Sequence, residues 1–238
     1  MDQKKLCALA EDAVREEDLG AKEIPAIDLY VDQIINLVSE KQKEGSERYY
    51  DRQLTKTMIN NYSKDGLITP VKGKKYNKEQ IVQILTIYTL KNTLSIGEIK
   101  RLLNGAYAIE GFSGDDLVVL YDRYLAIKEQ NRGYALEILE EIQHRSELDV
   151  TKEKDMMMTI GGLLSLSAFL KDIAQSMIDC EYPEPEPEEV TEEKEKAEKK
   201  AEKKAEKEDK KEKEKAEKEK AKKEKKEKKE SAEASSEE

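Results

Sequence analysis

Five lysines within twenty residues, Lys56, Lys64, Lys72, Lys74 and Lys75, are the first candidates for chemistry in this chain. A lysine is a compact point charge that suits a phosphate, and neutralising phosphates releases condensed counterions, which gives affinity without sequence preference. Asn60 and Asn61 lie among them. An asparagine amide can bond the edge of an adenine in a major groove, each good bidentate contact contributing about 1–3 kcal/mol. Thr57, Asn60, Asn61 and Lys64 fall at i, i+3, i+4 and i+7, the spacing that places them on one face of a helix. The same residues also fit an ordinary solvated helix face followed by a polar turn. Charge distribution makes the first alternative worth pursuing: Tyr50 to Asn104 carries a net +6 within a chain whose total is −10. Both flanks of this stretch are acidic, so the cations are concentrated in one place, where a local field can favour an anionic partner despite the overall sign.

Other chemistries find little material. His144 is the single histidine and has no cysteine near it in sequence; Cys7 and Cys180 are far apart, with no CxxC pair. These spacings suggest neither zinc site nor disulfide framework, and a reducing, cytoplasmic location is expected. Glycine-rich phosphate loops, GxSxG and HExxH are absent, so the expectation is a protein that is not an enzyme and needs no cofactor or metal. The N-terminal MDQKKLCALAEDAVREED lacks the apolar core of a signal peptide. Met156 to Leu170 is the most apolar run, fifteen residues between charged flanks. A bilayer span needs about 20 such residues, so the run reads as a buried or interface helix and no membrane partner is expected.

The elements that must position the candidates follow from periodicity and caps. Residues 1–23 are polar and read as a mobile arm. Pro25 is expected to open a helix from Ala26 to about Lys43, with Ile27, Tyr30, Val31, Ile34, Ile35 and Val38 on its apolar face. Glu44 to Gln53 reads as a loop. Thr55 can cap a short helix whose Leu54, Met58, Ile59 and Tyr62 side packs while the Thr57/Asn60/Asn61/Lys64 side stays free. Asp65-Gly66 stops it, glycine accepting the left-handed backbone of a helix end. Leu67–Pro70 and Lys75–Tyr76 then read as two arms of a small β-hairpin, a wing with lysines at its tip. Asn77 caps a helix that is apolar on most sides, and Ser95-x-x-Glu98 is a capping box for the next. Residues 105–180 read as a helical hairpin carrying the stripe Leu117, Leu120, Tyr121, Tyr124 and Leu125, too small to bury itself and so expected to pack on the preceding module or a second subunit. From residue 181 an acidic proline-spaced linker leads into a Lys/Glu/Ala tail without heptad leucines. Such a tail is either a solvated single helix or disordered.

Taken in order, Leu54-Thr55-x-x-Met58-Ile59-Asn60-Asn61-Tyr62-x-Lys64-x-Gly66-Leu67-Ile68-x-Pro70, Lys75-Tyr76-Asn77 and Leu94-Ser95-Ile96-Gly97-Glu98-Ile99-x-x-Leu102-Leu103 resemble the MerR-type winged-helix DNA-binding domain. With Pro25 to Gln33 ahead of them, residues 24–180 resemble an uncharacterised bacterial family of MerR-related proteins containing a domain of unknown function. The resemblance implies a mainly α fold: a winged helix-turn-helix over 24–104 with a β-hairpin wing, then a helical dimerisation or interaction region over 105–180. It further implies a transcriptional regulator that binds duplex DNA as a homodimer through 115–180, with Thr55, Lys56, Thr57, Asn60, Asn61, Tyr62, Lys64, Lys72, Lys74, Lys75 and Tyr76 at the contacting positions. Asn60-Asn61-Tyr62 stands where the family usually has Arg-Tyr-Tyr, and lysines replace the wing arginines. The competing class is a non-catalytic adaptor that uses the same fold to bind a protein. Neither reading implies a small-molecule ligand.

Overall fold

Side-chain caps set most of the element boundaries. In the computed structural model, which describes residues 1–47, 53–71 and 73–184, Asp2 accepts from the Lys5 amide at 2.7 Å to start α1 (Gln3–Val14). A two-residue strand β1 (Leu29–Tyr30) runs directly into α2 (Val31–Gln42), and Thr55 caps α3 (Lys56–Lys64). After β2 (Lys75–Tyr76), Asn77 and Gln80 form a reciprocal capping box at α4 (Lys78–Leu90). Ser95 and Glu98 do the same for α5 (Ile96–Tyr107), and Ser113 and Asp116 for α6 (Gly114–Arg145). Each box satisfies amides that the first helical turn leaves without partners. The last element is α7 (Glu153–Glu181). The fold is therefore mainly helical, with a single two-stranded antiparallel sheet among the described residues. The chain divides into two compact units, Met1–Pro183 and Glu184–Glu238, and these elements all belong to the first. Residues 48–52 of the expected loop, Lys72, and the linker and tail from residue 185 lie outside the described residues.

The principal core gathers round α4, whose Ile81, Val82, Ile84, Leu85 and Ile87 are all buried. It reaches from Leu19 through α2, α3 and α5 to Leu117 and Tyr121 of α6, so it does not break at residue 104, where the sequence suggested a boundary. Three expectations are corrected. The helix expected from Ala26 starts at Val31 instead, because residues 29–30 are drawn into the sheet, and Gln33 closes the new start by accepting from the Tyr30 amide at 2.9 Å. The β-hairpin between 67–70 and 75–76 does not form. β2 pairs with β1, Leu29 opposite Tyr76, while Leu67 and Ile68 are both buried rather than alternating. Finally, residues 1–23, read as a mobile arm, include a helix docked on α6 through a small second core of Leu6, Leu139 and Val150.

Polar contacts hold the segment after α1 to α6. Lys128 bonds Glu16 at 2.6 Å and Asp18 at 2.7 Å, Arg132 donates to the Glu16 carbonyl at 2.7 Å, and Tyr121 donates to the Leu19 carbonyl at 3.0 Å. Burial lifts the Asp18 carboxyl above the ordinary carboxylate range, and the Lys128 ammonium offsets this only in part. A raised folded value means that Asp18's own contribution to stability falls as pH rises through that raised range. In Lys128→Met both carboxylates lose their cation, so the unfolding free energy is expected to fall by about 1–3 kcal/mol at neutral pH. The loss should shrink in acid, where Asp18, its range already raised by burial, takes up a proton. Urea denaturation of both proteins at pH 7 and pH 4.5 checks this; an equal loss at the two values would exclude the ion cluster as its source.

The apolar run at 156–170 lies within α7, a 29-residue helix that is long and apolar enough, by length and composition only, to cross a membrane. Lys171 and Asp172 end its uncharged stretch after Leu170. Little of the helix is buried: Met157 is 72% exposed, Leu164 66% and Phe169 62%.

Candidate functional site

A nine-residue helix is too short to hold itself in water, so α3 depends on what it packs against. Ile59 is fully buried and Tyr62 is 4% exposed, with Met58 half-buried beside them. These three fix the rotation of the helix, and Thr57, Asn60, Asn61 and Lys64 are consequently all on its exposed side. Thr55 accepts from the Met58 amide at 3.2 Å. At the other end Gly66 adopts φ +68°, the Leu67 amide bonds the Tyr62 carbonyl at 2.9 Å and the Gly66 amide bonds that of Ser63 at 3.3 Å. This double bonding is the Schellman stop, whose left-handed residue is cheapest as glycine.

The cations are placed around this helix in different ways. Lys56 opens it and Lys64 sits in its last turn, where the negative end of the helix dipole favours a positive charge. Lys74 is exposed beside Gly73 in the turn before β2. Lys75 is exposed too, its Nζ 5.1 Å from the centre of the Tyr30 ring, so β1 supplies an aromatic seat for the ammonium. Among the described residues no ion pair involves Lys56, Lys64, Lys74 or Lys75.

Two sequence candidates leave the accessible set. Tyr62 belongs to the core, and burial pushes its hydroxyl up to about 12. Tyr76 is 9% exposed, on the inward side of β2. Their apolar bodies complete the packing under α3 and the sheet, which explains the spacing that nominated them. Thr55 keeps its backbone role as a cap.

The connection from α3 to β2 is held by side chains of α4 in place of a strand partner. Gln83 accepts from the Thr69 amide at 2.9 Å, and Gln80 donates to the carbonyls of Thr69 at 3.1 Å and Pro70 at 3.2 Å. Gln83 donates in turn to the Tyr107 hydroxyl at 2.6 Å, which donates to Glu79 at 2.7 Å. Burial and the bond to Glu79 hold the Tyr107 hydroxyl above its ordinary range, so it remains a donor at neutral pH. Sequence reading did not single out Gln80 and Gln83; the available signal was two amides one turn apart on a helix otherwise apolar on most sides. It also missed Lys100 of α5, whose Nζ lies 3.8 Å from where a β-carbon on Gly66 would stand, and so adds a cation at the exit of α3.

An amide-bearing helix face with ammonium groups at both ends and on the following turn can bind a polyanion that also offers hydrogen-bonding edges. Residues 19–124 match a protein family described only as a domain of unknown function (DUF1836). The matched stretch coincides with the principal core, which runs from Leu19 to Tyr121. Searches of the curated proteins and of the solved structures found no match.

Proposed function

We propose that this protein is a DNA-binding transcriptional regulator in which residues 24–104 act as a MerR-like helix-turn-helix, the β1–β2 pair and the turn before it taking the place of the wing. The observation that carries the reading is the exposed face of α3, with Thr57, Asn60, Asn61 and Lys64 outward and Ile59 and Tyr62 inward, followed in the chain by Lys74 and Lys75, both exposed and without an ion pair among the described residues. In this reading α3 lies in the major groove, the two asparagines meet base edges, and the lysines meet phosphates. The apolar surface of α7 serves a second copy, so that two α3 helices address half-sites about one helical turn apart. The exposure of Met157, Leu164 and Phe169 gives that copy something to cover.

Mobility shift of the full chain on pooled genomic fragments at low salt tests it. The expected result is a shifted band that the combined Lys64→Glu, Lys74→Glu, Lys75→Glu variant loses. Each single substitution should flatten the slope of log affinity against log salt by about 0.9 for the phosphate contact removed. A missing shift at low salt, or one indifferent to the three lysines, would sink the proposal. The same α7 surface favours a second reading, an adaptor that binds another protein. Pull-down with and without nuclease distinguishes them: a partner retained after nuclease and lost on Leu164→Glu points to the adaptor.

A further inference from the structure

Between α4, α5 and the first half of α6 lies a cavity of about 380 Å³. Leu90 comes from α4, Leu103 and Ala106 from α5, Leu117 and Tyr124 from α6, and the ring of Tyr182 covers it from just beyond α7. Its volume stands near the lower end of the about 300–1,000 Å³ usual for ligand pockets.

We infer that this cavity is a binding site for a small, uncharged, predominantly hydrocarbon or aromatic molecule. Charge is absent from its described lining, and a bare ion entering it would lose its hydration without a partner. Two of its polar groups are already spent: Thr86 donates to the Val82 carbonyl at 2.9 Å and Tyr121 to the Leu19 carbonyl at 3.0 Å. What remains is apolar wall with the rings of Tyr124 and Tyr182, whose two hydroxyls are the other polar groups of the lining, a surface that rewards apolar contact and penalises a charged head.

The cover is built, not incidental. Arg101 donates to the Tyr182 carbonyl at 3.2 Å and bonds Asp179 at 2.7 Å, tying the end of α7 to α5. Gly105 makes room for the ring, since a β-carbon at that position would collide with Tyr182. A glycine in a helix interior costs about 1 kcal/mol relative to alanine, and here its absence of a side chain is what lets the aromatic ring lie against α5. The mouth is at Leu120, 43% exposed, and Ile109, also exposed. The site is separate from the α3 face, so its test stands apart from the DNA reading.

The experiment is a fluorescence titration of the full chain with 1-aminoanthracene, a three-ring probe that is uncharged at neutral pH. The expected result is saturable enhancement at one probe per chain. Ala106→Phe, which fills the cavity from α5, and Leu120→Trp, which blocks the mouth from an already exposed position, should each weaken binding by about tenfold or more. Leu164→Glu on the exposed surface of α7 should leave it unchanged. No saturable enhancement, enhancement that survives both filling substitutions, or enhancement abolished by Leu164→Glu overturns the inference. Circular dichroism and melting of each variant accompany the titration, and if Ala106→Phe does not fold, Leu120→Trp alone decides.

Discussion

Ile59→Ala is expected to lower the unfolding free energy by about 2–5 kcal/mol, the range for truncating a fully buried aliphatic side chain. Ile59 is fully buried under α3 and is the anchor that sets which way that helix faces. Removing it leaves a cavity beneath a helix of nine residues, which has little stability of its own to offset the loss. The consequence reaches the exposed side without touching it: Asn60 and Asn61 would no longer be held at a fixed rotation, so under the proposed DNA-binding function affinity should fall along with stability. Urea denaturation measures the first effect. A mobility shift at a temperature where the variant is still folded measures the second. A stability change under 1 kcal/mol would mean that α3 is not seated as described.

Gln83→Leu is expected to cost about 2–4 kcal/mol although it exchanges a polar side chain for an apolar one of similar size in a core. Gln83 is 1% exposed, and three groups depend on it: the Thr69 amide, the Thr69 hydroxyl and the Tyr107 hydroxyl. Orphaning a buried polar group costs about 1–3 kcal/mol, more than a better-matched hydrocarbon returns. Tyr107 keeps its bond to Glu79, so the larger share should come from Thr69. Hydrogen exchange of the Thr69 amide, read beside global stability, tests that division. Fast exchange at Thr69 in the variant is expected, and unchanged protection would show that the amide has another partner.

What was legible in the sequence was local. Thr55, Asn77, the Ser95/Glu98 box and Gly66 act within one helical turn of themselves, and each terminates or starts a helix where its residue type indicates. The two faces of α3 were readable for the same reason, because an apolar stripe at spacings of three and four has one solution on a helix. The two-residue strands carried no such period. Lys75 and Tyr76 read as extended, but their partner is Leu29–Tyr30, far upstream, and not the nearer Leu67–Pro70. Proline lacks an amide to give a ladder, and the backbone there is satisfied by Gln80 and Gln83. The docking of the segment after α1 is out of reach of the sequence because Glu16, Asp18 and Lys128 are ordinary surface residue types until the fold brings them together. Tyr76 shows the limit for the site itself: a two-residue strand has no period to say whether its aromatic points in or out, whereas the stripe of α3 already places Tyr62 on the packing side.

The pairing of residues 29–30 with 75–76 has an entropic meaning as well as a geometric one. It joins both ends of a loop containing α2, α3 and the lysine-bearing turn with only two opposed residue pairs. Closing so long a loop costs more conformational entropy than those few bonds return, so the closure rests on the packing beneath it. Ile34 and Val38 of α2 and Ile59 and Tyr62 of α3 lie in the core that α4 centres, and that core, not the clasp, carries the candidate surface.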